Sequence, residues 1–256
     1  MSAAVLKSEI RQGVCQVSLN RPEKRNALNR ELVAALSDEL RRTAADDATR
    51  VIVIRGEGKD FCAGADLEEM KATADAGHDA SLDNAMTLAN LFIQMRLHPK
   101  PIIAAVHGRA LAGGCGLATA CDMVVASDDA EFGYPEVNLG FVPAIVMAIL
   151  RRKVPESAAF ELITTGERIS AARAHQIGLI NRVYRSGDLS EAVRRMAQEL
   201  VVKPASALKL AKGLLYELEG LGYSEAIIKG AEVNAVARNT EAYRDGIRSF
   251  LDRSKD

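Results

Sequence analysis

The sequence predicts an α/β fold with a mainly parallel sheet and a helical C-terminal third. Short β-branched runs alternate with stretches of helical periodicity up to Glu136, the pattern of strands joined by crossover helices. Beyond Glu136 the patterning is helical, apart from one strand-like piece at Asn181 to Tyr184.

In chain order, Val14 to Leu19 reads as a strand. Arg30 to about Ala45 reads as a helix, because Leu32, Val33, Leu36 and Leu40 fall on one face. Val51 to Arg55 is a second strand, followed by the loop Gly56 to Asp60 and the small-residue segment Phe61 to Leu67, where a helix should start. Residues 72–80 are rich in Ala, Asp and Gly without apolar periodicity, so they read as a mobile surface loop. A helix is expected from about Ser81 to Leu97, stopped by His98-Pro99-Lys100-Pro101. Ile102 to Val106 is a third strand, Gly108 to Gly116 a glycine-rich turn, the next residues to Cys121 a short helix, and Met123 to Ala126 a fourth strand. Further helices are expected at 143–153, 155–165, 188–202, 205–219, 223–239 and 241–252. The expected division is a core of residues 1–195 and a helical module of residues 196–256.

Composition narrows the function classes. With 256 residues, 48% of them apolar, the chain can bury a large core. Its 33 Lys and Arg against 34 Asp and Glu give a net charge of -1, so no global field recruits nucleic acid or a membrane surface, and neither partner is expected. An anionic ligand must be held by local cations. Cys15, Cys62, Cys115 and Cys121 form no C-x-x-C pair and read as buried reduced thiols. Lys7, Glu9 and Arg11 interrupt any secretory apolar stretch, and no run approaches the ~18 apolar residues of a membrane helix; a cytoplasmic location is expected. His78, His98, His107 and His175 lack metal-ligand spacing, and no metal is expected. No G-x-G-x-x-G, G-x-S-x-G or G-x-x-x-x-G-K motif is present, which counts against dinucleotide, serine-hydrolase and P-loop chemistry.

Three loops at strand exits carry chemical peculiarities, and in parallel α/β folds ligands bind beyond the carboxyl ends of strands. Asn20 to Leu28 holds three cations in five residues, Arg21, Lys24 and Arg25, suited to a phosphate; a solvated turn capping the next helix would look similar. Phe61 to Leu67 has small side chains at 63–65 beside a helix start, which leaves amide N–H groups open to negative charge. Gly108 to Gly116 is again a small-residue loop leading into a helix and could supply a second amide. Tight strand-to-helix packing is the competing reading for both.

These loops, in this order, resemble the crotonase (enoyl-CoA hydratase/isomerase) superfamily. Asn20 to Leu28 is similar to its coenzyme A loop, Ala63-Gly64-Ala65-Asp66-Leu67 to its first oxyanion loop and Gly108 to Asp122 to its second. Phe132-Gly133-Tyr134-Pro135-Glu136 with Leu139-Gly140 resembles its catalytic glutamate segment, and Thr165-Gly166-Glu167 through Gly178-Leu179-Ile180 a later signature. The resemblance implies a spiral ββα core with a C-terminal helical trimerisation module, assembled as a homotrimer or a dimer of trimers. It implies that the amides of Ala65 and Gly113 bind a thioester oxygen and that Glu136 is the acid/base. It further implies that Lys24, Arg25, Ala27 and Leu28 lie along coenzyme A, with Ala63, Asp66 and Leu67 as further ligand contacts. The partner implied is an acyl-CoA thioester, and no cofactor is required beyond the coenzyme A carried by the substrate.

One position departs from the family pattern. Two-glutamate hydratases of the family carry one acid in the helix after the second oxyanion loop, and here that position is Gly116. A lone carboxylate suffices for Δ3 to Δ2 isomerisation. The run Gly113 to Leu117 with Pro143-Ala144-Ile145-Val146, in contrast, resembles hydratases of branched or carboxylated enoyl-CoAs. Hydration of a 2-enoyl-CoA by Glu136, with Tyr134 or Asn138 as candidate water holders, is the favoured expectation. Isomerisation is the alternative, and a non-catalytic acyl-CoA or RNA-binding scaffold the minor one.

Overall fold

The structure, a computed structural model, describes residues 4–253. Its main sheet has six strands: β1 (Leu6–Arg11), β2 (Val14–Leu19), β3 (Val51–Gly56), β4 (Ile102–Val106), β6 (Met123–Ser127) and β9 (Arg182–Tyr184), in the order β1-β2-β3-β4-β6-β9. All neighbours are parallel except β1 and β2, which are joined through Gln12 and Gly13, both at positive φ; such a turn matches the strand twist of a hairpin. The strand β1 was not anticipated. Its sequence, LKSEIR, lies on an exposed edge and has no buried residue, so no apolar alternation marks it.

A second sheet joins β5 (Arg109–Leu111), β7 (Glu131–Gly133) and β8 (Arg168–Ser170), with β5 and β7 parallel and β7 and β8 antiparallel. The expected glycine-rich turn is therefore a three-residue strand running into α4 (Gly113–Ala120). One face of the main sheet packs Val17, Leu19, Ile52, Ile54, Ala104 and Val124 with residues of α1 (Arg30–Ala45) and α3 (His78–Leu97) in one buried cluster. The opposite face packs Val51, Val53, Ile103 and Val125 under Leu189, Val193, Met196 and Ala197 of α8 (Leu189–Val201). The division expected at residue 195 falls inside α8, whose buried residues lie on both sides of it.

The mobile loop expected at 72–80 is corrected. Helix α2 (Leu67–Asp75) fills much of it and α3 begins at His78. No residue of α2 is buried, so its helix rests on local chemistry that periodicity does not report. Asp66 caps it by accepting from the amides of Glu68 and Glu69, and Lys71 pairs with Asp75 at i,i+4. The three helices α5 (Ala144–Lys153), α6 (Glu156–Thr165) and α7 (Ala171–Gln176) follow later in the chain; α7, capped by Ser170, was not anticipated.

The chain ends in α9 (Ala205–Glu217), α10 (Tyr223–Arg238) and α11 (Glu241–Arg253), and neither α9 nor α10 has a buried residue. A polar anchor holds α9 to the core. Lys212 Nζ lies 2.8 Å from Asp122 Oδ2 and also donates to the carbonyls of Met95 and Lys100, while the Tyr216 hydroxyl donates to Asp122 Oδ1 at 2.7 Å. All four cysteines are free and buried, as the sequence implied. Among the described residues no helix is long and apolar enough to cross a membrane.

Candidate active site

Three short backbone ladders bring the sequence-predicted loops together. Leu28 bridges Ala65: its N–H donates to the Gly64 carbonyl at 2.7 Å, and its carbonyl accepts from Asp66 N–H at 2.9 Å. Cys62 bridges Ala110, accepting from Leu111 N–H and donating to the Arg109 carbonyl, both at 3.0 Å. Ala112 N–H extends the β5–β7 ladder to the Gly133 carbonyl at 2.8 Å. The parallel ends of β5 and β7 thus lead directly into Gly113 and, three residues beyond Gly133, into Glu136.

Ala65 and Gly113 lie close together, since a Cβ built on Gly113 would stand 3.8 Å from Ala65 N and 3.6 Å from Leu28 Cδ1. Neither amide donates a hydrogen bond among the described residues. Gly113 opens α4, so its N–H belongs to the unsatisfied first turn, where the helix dipole favours negative charge. The backbone before it is strained, because Ala112 sits at φ 51, ψ −130, a conformation that costs an alanine on the order of 1–3 kcal/mol. Gly64 faces it at φ +105, and any Cβ there would meet Ala112 Cβ at 2.8 Å and the Leu111 carbonyl at 3.0 Å. Only a residue without a side chain lets the two loops approach this closely.

Glu136 lies in a one-turn 3-10 helix, Pro135–Leu139, and is 9% exposed. Its Oε2 is buried without a hydrogen-bond partner. Burial raises its carboxyl above the ordinary range, since desolvation disfavours the charged form. Its charge is also felt at Cys115 on α4, whose thiol is pushed up to about 12 by burial, with Glu136 the smallest contribution. An unpaired buried carboxylate is expensive to maintain, and such groups concentrate at sites of proton transfer.

A Cβ at Gly116 would fall 2.2 Å from Val146 Cγ1 and 3.4 Å from Phe92 Cζ. Val146 of α5 therefore occupies the space in which a side chain at 116 would begin, and sequence reading gave no hint of that contact. The candidate water holders differ in burial, and the Tyr134 hydroxyl has no hydrogen-bond partner among the described residues. The Tyr134 ring is wholly buried in the core, and Asn138 is exposed, with Nδ2 2.8 Å from where a Cβ at Gly166 would stand.

The cations of the first loop divide into two roles. Lys24 and Arg25 stay at the surface with 45% and 61% of their side chains exposed, Lys24 paired to Glu68 at 3.0 Å and Arg25 Nε 3.9 Å from Asp60. Arg21, grouped with them by sequence as a cation for an anionic ligand, instead turns inward. Its Nη2 meets Asp66 Oδ2 at 2.9 Å and its Nη1 donates to the Ala27 carbonyl. Asp66, expected as a ligand contact, is consumed by Arg21 and by capping α2. Burial would raise its pKa, but Arg21 and the α2 amides outweigh that and hold it below the ordinary carboxylate range. Ala27 is buried, Leu28 is buried beside the two amides, Ala63 is half-buried and its N–H donates to the Arg25 carbonyl, and Leu67 is exposed at the start of α2. Among the described residues no group of three His, Cys, Asp or Glu side chains could hold a metal ion.

Comparison with known proteins bears on this arrangement over nearly its full length. The enoyl-CoA hydratase/isomerase family profile matches residues 9–256. The 2,3-dehydroadipyl-CoA hydratase of Escherichia coli is 37% identical over 241 residues, 94% of this chain and 92% of that protein. The short-chain-enoyl-CoA hydratase of Clostridium acetobutylicum is 33% identical over 94% of this chain and 92% of that protein. The crystal structure of an enoyl-CoA hydratase from Mycobacterium smegmatis superposes with a TM-score of 0.94 at 32% identity, covering 97% of this chain and 96% of that one. Human enoyl-CoA hydratase domain-containing protein 3 gives 0.93 at 30% identity, covering 97% and 98%. The loops that meet at the two free amides all lie within the matched residues, and this chain belongs to the enoyl-CoA hydratase/isomerase family.

Proposed function

We propose that the protein hydrates a 2-enoyl-coenzyme A thioester, with Glu136 as the proton carrier and the Ala65 and Gly113 amides as the oxyanion hole. The observation that carries the reading is the buried, unpartnered Oε2 of Glu136, following a strand parallel to the one that leads into Gly113. Relatives named as hydratases over more than nine-tenths of the chain support the same reaction class.

The chemistry follows from these groups. Ionised Glu136 takes a proton from water as the water oxygen bonds to C3, and the C2–C3 π electrons move toward the carbonyl. The thioester oxygen becomes an enolate oxyanion held by the two N–H groups, each worth roughly 10²- to 10³-fold in rate. Collapse of the enolate takes the proton from Glu136 onto C2, and the carboxylate is restored. The raised proton affinity of Glu136 suits a group that must both accept and release a proton near neutral pH. Lys24 and Arg25 would meet the phosphates of coenzyme A, and Ala27 and Leu28 would line its path.

A second reading is favoured by one observation. The apolar wall at Gly116, Val146 and Phe92 leaves Glu136 as the single carboxylate assigned here, which is sufficient to move a proton from C2 to C4 in a 3-enoyl-CoA. Separate 2-enoyl and 3-enoyl-CoA panels in heavy-oxygen water discriminate the two. Gain of one labelled water by the 2-enoyl substrates is expected; conversion of 3-enoyl to 2-enoyl at unchanged mass, without hydration, would replace hydratase by isomerase. Bound coenzyme A without turnover of either panel would replace both by a binding role.

The proposal includes a homotrimer or dimer of trimers, in which the C-terminal helices are the trimerisation module. In support, Tyr223, Ile227, Ile228, Ile247 and Phe250 of α10 and α11 are large apolar side chains left exposed in the single chain. A cytoplasmic setting is in keeping with the four reduced thiols.

A further inference from the structure

The Arg21–Asp66 pair has the geometry of a clamp on the site. Both side chains are nearly withdrawn from solvent, at 13% and 10% exposed, and their charged atoms meet at 2.9 Å. Arg21 spans two loops with one guanidinium: Nη2 goes to Asp66, next in sequence to Ala65, and Nη1 to the carbonyl of Ala27, next to Leu28. Leu28 in turn holds the Ala65 peptide from both sides, through Gly64 O and Asp66 N. Asp66 also caps α2, so its carboxylate fixes both the residue after Ala65 and the helix that follows. A merely structural ion pair could sit anywhere in the fold. This one closes a ring of contacts around a single free amide.

We infer that Arg21 and Asp66 are positioning residues that aim the Ala65 N–H at the thioester oxygen and lock the loop at 63–67 to the loop at 20–28. The inference deepens the proposed function and rests on it. Neither side chain need touch substrate; both act through the Ala65 peptide. A displacement of about 1 Å at such a donor is enough to lower a rate by on the order of 10²-fold. Lysine cannot replace the arginine fully, because an ammonium lacks the planar fork that reaches two acceptors in fixed directions.

The test compares wild type with Asp66→Asn and Arg21→Lys, reading thermal stability, the kcat and KM of the enoyl-CoA substrate, and the carbonyl stretch of carbonyl-labelled acetyl-coenzyme A bound to each protein. In wild type the bound stretch should fall below its solution value, because two N–H donors polarise the carbonyl. In Asp66→Asn about half of that fall should be lost, the Gly113 donor remaining, and kcat should drop on the order of 10²-fold with KM little changed, while Arg21→Lys, which keeps the charge, should lie between. Variants that lose stability yet keep the wild-type stretch and the wild-type kcat per folded protomer would overturn the inference and leave the proposed function standing. A wild-type protein that binds the thioester with no shift in its stretch would overturn the oxyanion-hole reading, and the inference with it. Should Asp66→Asn fail to fold, Arg21→Lys decides by the same two readouts.

Discussion

The contact between Gly116 and Val146 can be tested by a double-mutant cycle whose sign is unusual. In an ordinary exposed helix position Gly→Ala stabilises by about 1 kcal/mol. Here the new Cβ would stand 2.2 Å from Val146 Cγ1, more than 1 Å inside ordinary carbon contact. Val146 is buried in α5, and its χ1 is stiff because it is β-branched, so it cannot swing away. Gly116→Ala should therefore destabilise by roughly 1–3 kcal/mol. Val146→Ala alone removes two methyl groups and should cost about 2 kcal/mol. In the Val146→Ala background the 2.2 Å clash is gone and only the tighter-than-usual approaches of the residue 146 Cβ at 3.1 Å and Phe92 Cζ at 3.4 Å remain near the added methyl, so Gly116→Ala should become close to neutral. The four proteins are compared by urea denaturation at one fixed protomer concentration, since assembly would otherwise shift the midpoint. A favourable coupling of about 2 kcal/mol is expected, within the range seen for residues in contact. Additivity of the two substitutions would refute the claim that Val146 occupies the space of a side chain at 116.

Other expectations follow from the same geometry. Glu136→Gln should abolish turnover while leaving coenzyme A binding intact, checked by single-turnover kinetics and calorimetry. The same substitution should stabilise the protein at neutral pH. Burial raises the Glu136 pKa in the folded state, so the native state is proton-rich, and stability falls as pH rises from the unfolded value of about 4.3 through the folded one. The gain in Tm from Glu136→Gln should vanish below pH ~4; a gain independent of pH would contradict this. For the same reason kcat/KM should rise with pH through a value above the ordinary glutamate range, and a limb at the ordinary value would remove Glu136 as the titrating group. Reversing the charge of Lys24 and Arg25 should raise KM with little change in kcat, measured by initial rates over a range of salt. An unchanged KM would detach those cations from the ligand.

Much of this architecture was legible because apolar periodicity reports burial. The strands at Val14, Val51, Ile102 and Met123 and the helix from Arg30 begin where the sequence placed them, since each has a buried face. Several short elements held by something other than burial were missed. The edge strand β1 is held by backbone pairing to β2, α2 by its Asp66 cap, and β8 by pairing with β7; none leaves an apolar signature. The site followed the same rule. Small residues at 63–65 and 113–116 marked loops able to approach each other, but the direction of Arg21 could not be read. A cation near a strand exit fits a phosphate and a buried carboxylate equally well until the fold brings Asp66 alongside.

The features that sequence could not supply are also those that break local rules, and they fall together. Ala112 adopts a positive φ, Glu136 is buried with an unpartnered oxygen, and the amides of Ala65 and Gly113 have no acceptor among the described residues. Each is unfavourable by itself in a resting chain. In the proposed reaction a thioester oxygen that gains negative charge would satisfy both amides, and a transferring proton would satisfy the carboxylate, so the unmet hydrogen bonds would be met by the same event. In the proposed hydration the charge on the oxygen is greatest in the enolate-like transition state, so the two amides would favour that state over the bound thioester. The surrounding ladders and the Arg21–Asp66 pair supply the rigidity needed for this, since a flexible loop would turn its amides to water and lose the difference.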